Sequence, residues 1–267
     1  MTHPQTCRAM NRRRLLQCAF VGVTTLCAPR LTMAQTWQSI PAVRDRIGDA
    51  KLSGDGLLIS LPLVAEDGSA VPLTIKSSSN SSVSSIRRLA IFAPGNPTPQ
   101  VAEFEFGPEI QTLNLSTRIR LSESQTVIAV AHTGDGRVMV AERAVRVTSS
   151  GCIAPAQSDS ANEMKARVRV PKHWKQGSPG EVLTMITHPM TTGLASDAAG
   201  AMPPQRIIKT FQATLGDRPV IKATYYRSLS INPYLRFDVT PQQGGEMRFE
   251  WTEDTGRVAE HKETLAL

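Results

Sequence analysis

The chain has 267 residues, 40% hydrophobic and 20% charged, which excludes a wholly disordered protein and leaves room for one large domain or two of roughly 100–130 residues. The formal net charge of +7 suggests a phosphate-binding surface until it is divided: residues 1–34 hold Arg8, Arg12, Arg13, Arg14 and Arg30 and no acid, and the remainder carries 25 basic residues against 23 acidic ones. A near-neutral body lacks the dense basic stripe that nucleic acid requires, so no nucleic-acid partner is expected.

Residues 1–34 read as a cleaved export signal. Arg12-Arg13-Arg14-Leu15-Leu16 precedes an apolar run that ends near Ala28, and Thr32-Met33-Ala34 is a small-residue cleavage site. The paired arginines before leucines make it twin-arginine-like, with an ordinary secretory signal as the alternative. Cys27 suggests a lipid anchor, but the bulky Leu26 before it argues against one. The run is too short to span a bilayer, no other segment is apolar enough, and no membrane association is expected. The predicted location is the periplasm.

A short amphipathic helix is predicted within 35–50, stopping near Gly48. From Leu57 the period changes to two. Strands are expected over 57–61, 71–76, 88–93, 101–106, 117–121, 126–131, 138–141 and 144–147, separated by turn signals such as Glu66-Asp67-Gly68-Ser69 and Gly134-Asp135-Gly136. A second strand-rich block follows over 166–170, 181–187, 210–215, 220–226, 235–239, 246–251 and 261–265, interrupted by a polar loop over 193–204. The expected fold class is all-β: two antiparallel β-sandwiches, 35–148 and 165–267, joined by a flexible cysteine-bearing linker.

That linker, 149–164, is rich in small and polar residues, and at that length a flexible chain spans roughly 20–24 Å. It holds Cys152. The other cysteines, Cys7, Cys18 and Cys27, lie in the leader, so cleavage near Ala34 leaves one thiol in an oxidising compartment. Such a thiol is buried, pairs with another chain as a disulfide-linked homodimer, or reacts for a purpose. Gly151 and its serines suggest exposure and backbone freedom for Cys152. Lys165, Arg167, Arg169, Lys172 and Lys175 follow close enough in sequence to lower a thiol pKa or attract an anion.

Catalytic signatures are missing from the sequence: no Gly-x-Ser-x-Gly elbow, Walker loop, dinucleotide fingerprint or His-Glu-x-x-His motif occurs. His132, His173, His188 and His261 show no local tie to Cys152 and read as surface or packing residues. His188-Pro189-Met190 resembles a copper-ligand pair but reads more simply as a turn. The pairs Glu66/Asp67 and Glu253/Asp254 read as solvated turn residues. No catalytic residue, cofactor or metal is therefore expected.

Particular stretches resemble a known family. Leu61-Pro62-Leu63-Val64-Ala65-Glu66-Asp67-Gly68 with Val71-Pro72, Gly95-Asn96-Pro97-Thr98-Pro99-Gln100-Val101-Ala102, Thr117-Arg118-Ile119-Arg120-Leu121, Gln125-Thr126-Val127-Ile128-Ala129-Val130-Ala131 and Val145-Arg146-Val147-Thr148-Ser149-Ser150-Gly151-Cys152 are similar to SoxY, a subunit of the sulfur-oxidation carrier complex. Arg169-Val170-Pro171-Lys172, His188-Pro189-Met190-Thr191-Thr192-Gly193-Leu194, Asn232-Pro233-Tyr234-Leu235 and Phe249-Glu250-Trp251-Thr252-Glu253-Asp254 are similar to its partner SoxZ. The resemblance implies that the two antiparallel β-sandwiches are immunoglobulin-like, and that the chain is a non-enzymatic carrier whose arm cysteine, here Cys152, holds a sulfur compound derived from thiosulfate. It implies as partners a haem oxidase, a manganese-dependent hydrolase and a sulfur dehydrogenase. Two departures stand out: both subunits lie in one chain, and Ser150-Gly151-Cys152-Ile153-Ala154 replaces the family's doubled glycines around the cysteine. Fused relatives associated with quinoprotein dehydrogenases resemble this arrangement and supply the alternative, an accessory carrier of unknown cargo. An exported binding module with an incidental thiol is the alternative of another class.

Overall fold

The computed structural model describes residues 37–53, 56–78, 86–151, 160–196 and 200–267. The leader 1–34 and Cys152 lie outside the described residues. A single α-helix is present among them, α1 (Pro41–Ile47). Its first turn begins on Pro41, whose fixed φ suits that position, and it ends where Gly48, at φ 57°, turns back its amide to Arg44 O at 2.9 Å. No helix among the described residues is long and apolar enough to cross a membrane.

Sixteen strands and two single 3-10 turns accompany α1 among the described residues. The first half contributes β1 (Leu52–Ser53), β2 (Leu57–Ser60), β3 (Val64–Ala65), β4 (Val71–Ser77), β5 (Ile86–Phe92), β6 (Gln100–Phe106), β7 (Asn114–Ile119), β8 (Gln125–Thr133) and β9 (Val138–Val147). The second half contributes β10 (Ala166–Arg169), β11 (Gly180–Ile186), β12 (Ile208–Leu215), β13 (Arg218–Tyr225), β14 (Tyr234–Val239), β15 (Gly245–Glu253) and β16 (Val258–Leu265). All pairings are antiparallel except those of the two-residue strands β1 and β3, which run parallel to β9.

The all-β, sandwich-like architecture is as expected, and the structure adds how its halves join. They are zipped edge to edge in both layers. The ten-stranded sheet runs β1-β9-β8-β5-β6-β13-β12-β15-β16, with β3 also on β9, and the six-stranded sheet runs β10-β11-β14-β7-β4-β2. In the first, 102–106 pair with 221–225; in the second, 115–117 pair with 235–237. Edge strands that each half alone would leave open therefore satisfy one another. One apolar core, with Ile75, Leu115, Phe104, Phe211, Phe237 and Trp251 among its members, lies between the sheets and crosses the seam.

Strands β5 and β8 are apolar on both faces for a stated reason. Leu89, Ile91, Val127, Ala129 and Ala131 enter the inner core, while Ala90, Phe92, Ile128 and Val130 form a second, outer core under Ile40, Val43 and Ile47 of the helical segment. A strand covered on both faces reads as a continuous apolar run rather than an alternation.

Candidate functional site

The arm that the sequence assigns to 149–164 carries hydrogen-bonded structure at both ends, and only 152–159 lie outside the described residues within it. At the near end, β9 leads into a backbone knot. Thr148 N–H donates to Ala65 O at 3.0 Å, and the Thr148 and Ser149 hydroxyls both donate to Glu66 O, at 2.8 and 2.7 Å. Gly68 N–H donates to Ser149 O at 2.9 Å, Leu121 N–H to Gly68 O at 2.8 Å, and Gly151 N–H to Leu121 O at 2.9 Å. The Asp67 carboxylate closes the turn by accepting from Ser69 N–H and Oγ–H, both at 2.7 Å, and these bonds hold its carboxyl below the usual carboxylate range.

One expectation is corrected for Gly151 alone: it is buried against Gly68, while Cys152, to which it is expected to lend exposure, lies outside the described residues. A Cβ on Gly151 would sit 1.9 Å from Gly68 O and 2.4 Å from Ser69 N, and one on Gly68 would sit 2.3 Å from Leu121 O. Neither glycine has a positive φ. Both are there for space: two backbones approach more closely than any side chain permits.

The root also touches the second half. Ser230 Oγ–H donates to Ser69 O at 2.9 Å, Ser230 N–H to Arg118 O at 3.2 Å and Arg120 N–H to Ser228 O at 2.7 Å. Asn96, buried, binds four groups around the same loop: its Nδ2 donates to Arg120 O at 2.8 Å and Ser228 Oγ at 2.9 Å, and its Oδ1 accepts from Ser122 N at 2.9 Å and Gln125 Nε2 at 3.0 Å. Arg120, itself buried, donates from Nη2 to Pro189 O at 3.3 Å.

At the far end, Met164 N–H donates to Thr187 O at 2.8 Å, and Glu163 is clamped by two guanidinium groups. Arg257 Nη1 lies 2.8 Å from its Oε1, and Arg206 makes a two-pronged contact whose Nη2–Oε2 arm is 3.1 Å. Burial pushes the Glu163 carboxyl up, but the hydrogen bonds from Arg206 and Arg257 outweigh it and hold the group below the usual carboxylate range. Both arginines also reach Glu253 Oε1, at 3.6 and 3.7 Å.

Glu253 corrects a second expectation, because it is not a solvated turn residue. Its carboxylate is fully buried, accepts from Thr255 Oγ–H and lies 2.8 Å from Nε2 of the fully buried His188. The signal was in the sequence: Met247, Phe249 and Trp251 alternate inward along β15, and the same period of two places Glu253 on that face. Asp254, by contrast, is exposed and accepts from Ile207 N–H at 3.1 Å.

The motifs of the second block thus have structural work. His188 N–H donates to Asn232 Oδ1 at 3.0 Å, and Asn232 N–H to His188 O at 2.9 Å. Met190 N–H donates to His188 Nδ1 at 3.0 Å, and Met190 Sδ accepts from Ile208 N–H at 3.2 Å. Glu163, His188 and Glu253 are close enough to share a cation, with donor atoms within 4.8 Å of one another. However, the His188 Nδ1 lone pair is already taken, Nε2–H faces Glu253, and two arginines supply the positive charge that balances the two carboxylates. The cluster is a closed ion-pair network.

The remaining candidates are dispersed. His173 is exposed, and His261 on β16 lies 2.8 Å from Glu263. His132 lines a cavity of ≈ 230 Å³ on the outer face, where Arg46, Arg88 and Lys222 are offset by Glu103 and Glu105. Of the cations expected near Cys152, Lys165, Arg167, Arg169, Lys172 and Lys175 are all exposed, and Arg169 is engaged with Glu181 at 3.6 Å.

No curated protein sequence matches the chain. Among solved structures, a beta-glycosidase from Bacteroides vulgatus aligns at 10% identity and a TM-score of 0.24, over 84% of this chain and 26% of that one; a score this low supports no argument. This chain spans about a quarter of that protein's length. Family models are decisive. Residues 43–152 match the sulfur oxidation protein SoxY, and residues 168–264 match the sulphur oxidation protein SoxZ. The two matches flank residues 153–167 and together cover most of the chain, and on these grounds the chain belongs to the sulfur-oxidation family as a SoxY–SoxZ fusion.

Proposed function

We propose that this fusion is an exported carrier that holds sulfur intermediates covalently on Cys152 and presents them to periplasmic partner enzymes. The observation that carries the reading is that the SoxY match runs to Cys152 itself. Thiosulfate, or a related anion with a terminal sulfur, is the cargo class. Joining a thiolate to that sulfur forms one S–S bond and releases two electrons, so the step needs an external oxidant, the role of a haem oxidase. The later steps fall to a hydrolase and a sulfur dehydrogenase. The fusion itself contributes attachment and presentation rather than catalysis. Its leader, with Arg12-Arg13-Arg14 and the Thr32-Met33-Ala34 cleavage site, supports a periplasmic location.

Intact-mass analysis of the protein from cells oxidising thiosulfate tests this. Additions of sulfur or thiosulfonate mass are expected, lost with reductant and missing in Cys152→Ala. An unmodified or simply dimeric thiol under those conditions rejects the reading. The fusion of both domains in one chain favours a second reading, an accessory carrier working with a quinoprotein dehydrogenase. In that case adducts form on Cys152 without thiosulfate in the medium.

A further inference from the structure

We propose, independently of the carrier reading, that the cavity on the outer face of the ten-stranded sheet binds one small divalent oxyanion, held between Arg88 of the first half and Lys222 of the second with His132 beside them. Strand register puts these residues together. His132 of β8 pairs with Arg88 of β5, Arg88 with Glu105 of β6, and Glu105 with Lys222 of β13. Residues directly opposite one another share a face, so the four side chains stand in one row across four neighbouring strands. Arg88 and Lys222 are two strand spacings apart, about 10 Å at the backbone, a gap that two long side chains can close over a small ion. Arg46 of α1 and Thr224 of β13 also line the cavity, whose volume is ≈ 230 Å³.

Glu103 and Glu105 line the same cavity, so the charges nearly balance, but the contacts do not. Glu103 is engaged: Arg46 forms an ion pair with it, and Tyr226 Oη–H donates to its Oε1 at 3.0 Å. Arg88 and Lys222 are exposed, and among the described residues neither is ion-paired, although Glu105 stands between them in register. His132 Nε2 is buried and meets no hydrogen-bond partner of good geometry among the described residues. This donor set suits an oxyanion. A guanidinium offers two parallel N–H bonds to a pair of oxygens, an ammonium adds a compact charge, and a protonated imidazole adds another donor. Burial holds the His132 pKa below its ordinary 6.5; the Arg46 backbone opposes this, and the positive charges of Arg46 and Arg88 push it down again. A bound dianion reverses that last push, so binding takes up a proton and tightens as the pH falls. The two gripping cations come from the two family matches, Arg88 from 43–152 and Lys222 from 168–264, so the site exists only where the halves are zipped.

Isothermal titration calorimetry of the mature protein with sodium sulfate, thiosulfate and phosphate, at constant low ionic strength in chloride, tests the site. Sulfate is expected to bind at one equivalent. Arg88→Gln and Lys222→Gln should each weaken it about tenfold, the low end for a charge-assisted contact. Glu105→Gln, which removes the carboxylate between the two cations, should tighten it. All three side chains are exposed, so the variants should unfold at the wild-type temperature. Lys172→Gln, an exposed cation elsewhere, should change nothing. Sulfate stays a dianion near neutrality, and its affinity should rise as the pH falls from about 7 to about 6. His132→Gln should remove that rise, which separates the imidazole from Asp45, Glu103 and Glu105, the carboxylates that also face the site. Equal affinities for the three anions uphold a general oxyanion site, and a preference for the two sulfur anions upholds it with a narrower ligand. Heats that never saturate overturn the proposal, as does binding that Arg88→Gln and Lys222→Gln weaken no more than Lys172→Gln does, or that Glu105→Gln leaves unchanged.

Discussion

His188 Nε2 lies 2.8 Å from Glu253 Oε1, with both side chains fully buried. Because Met190 N–H occupies Nδ1, the ring's proton sits on Nε2 and the imidazole is a neutral donor to the carboxylate. Burial pushes the His188 pKa below its ordinary 6.5, against the pull of the Glu253 hydrogen bond. The sign of the linkage follows. In the window just below pH 6.5 the unfolded chain takes up a proton that the folded one refuses, so stability is full above that value and falls as the pH drops toward the native pKa. Thermal unfolding between about pH 7 and 5 should therefore slope downward toward acid. His188→Gln should flatten part of that slope. A residual slope should remain, since burial also lowers the His132 pKa. An identical slope in His188→Gln would assign the whole effect elsewhere.

Asn96 should be among the most sensitive polar positions. Its amide satisfies Arg120 O, Ser228 Oγ, Ser122 N–H and Gln125 Nε2 at once, across the seam. Asn96→Ala leaves buried backbone groups without partners, at about 1–3 kcal/mol for each one that water cannot reach. Denaturant titration should give a lower midpoint with an unchanged slope. Asn96→Asp keeps the acceptor but loses the donor, and should fall between the two.

Much of this molecule was legible from its residues, and the parts that were not share a cause. Strands such as β4 announce themselves because Val71, Leu73 and Ile75 alternate with less buried positions, and α1 because Val43 and Ile47 recur at helical spacing ahead of Gly48. The joining of β6 to β13 has no such mark. It pairs Phe106 with Ile221 and Ala102 with Tyr225, residues far apart in sequence whose alternation says only that each faces a core. Gly151 misled for a related reason. A glycine among serines has the same local pattern whether it bends freely or lies under another backbone, and only the approach of Gly68 decides. Glu253 differs, because period two along β15 pointed inward and the turn-like Thr252-Glu253-Asp254-Thr255-Gly256 hid it.

The outer core makes a further prediction. Val43 and Ile47 cover the outer faces of Ala90, Phe92, Ile128 and Val130, and α1 is too short to be stable by itself. Ile47→Ala should cost about 2 kcal/mol, the low end for such truncations, because a site at the margin of the fold can partly collapse. Hydrogen exchange should rise in α1 and in the amides of β5 and β8 beneath it while the β12–β15 region stays protected. A loss spread evenly over both halves would mean that the helix supports the inner core as well.

The seam predicts that covalent continuity through the arm is dispensable for assembly. The halves share a sheet edge at 102–106 with 221–225 and another at 115–117 with 235–237, and they bury one apolar core between them. Side chains add to the backbone pairing: Asn114 Nδ2 donates to Asp238 Oδ2 at 2.8 Å, Thr117 Oγ–H to Tyr234 O at 2.7 Å, and Arg118 stacks 5.1 Å over the Tyr234 ring. Separation would open two sheet edges and wet the core together, which no single contact loss can mimic. Fragments cut at a protease site inserted between Ala156 and Gln157 should thus stay associated. The two fragments should elute together on gel filtration and part only in denaturant. Elution as two separate species in native buffer would mean that the tether, rather than the continuous sheets, keeps the SoxY and SoxZ domains in one body.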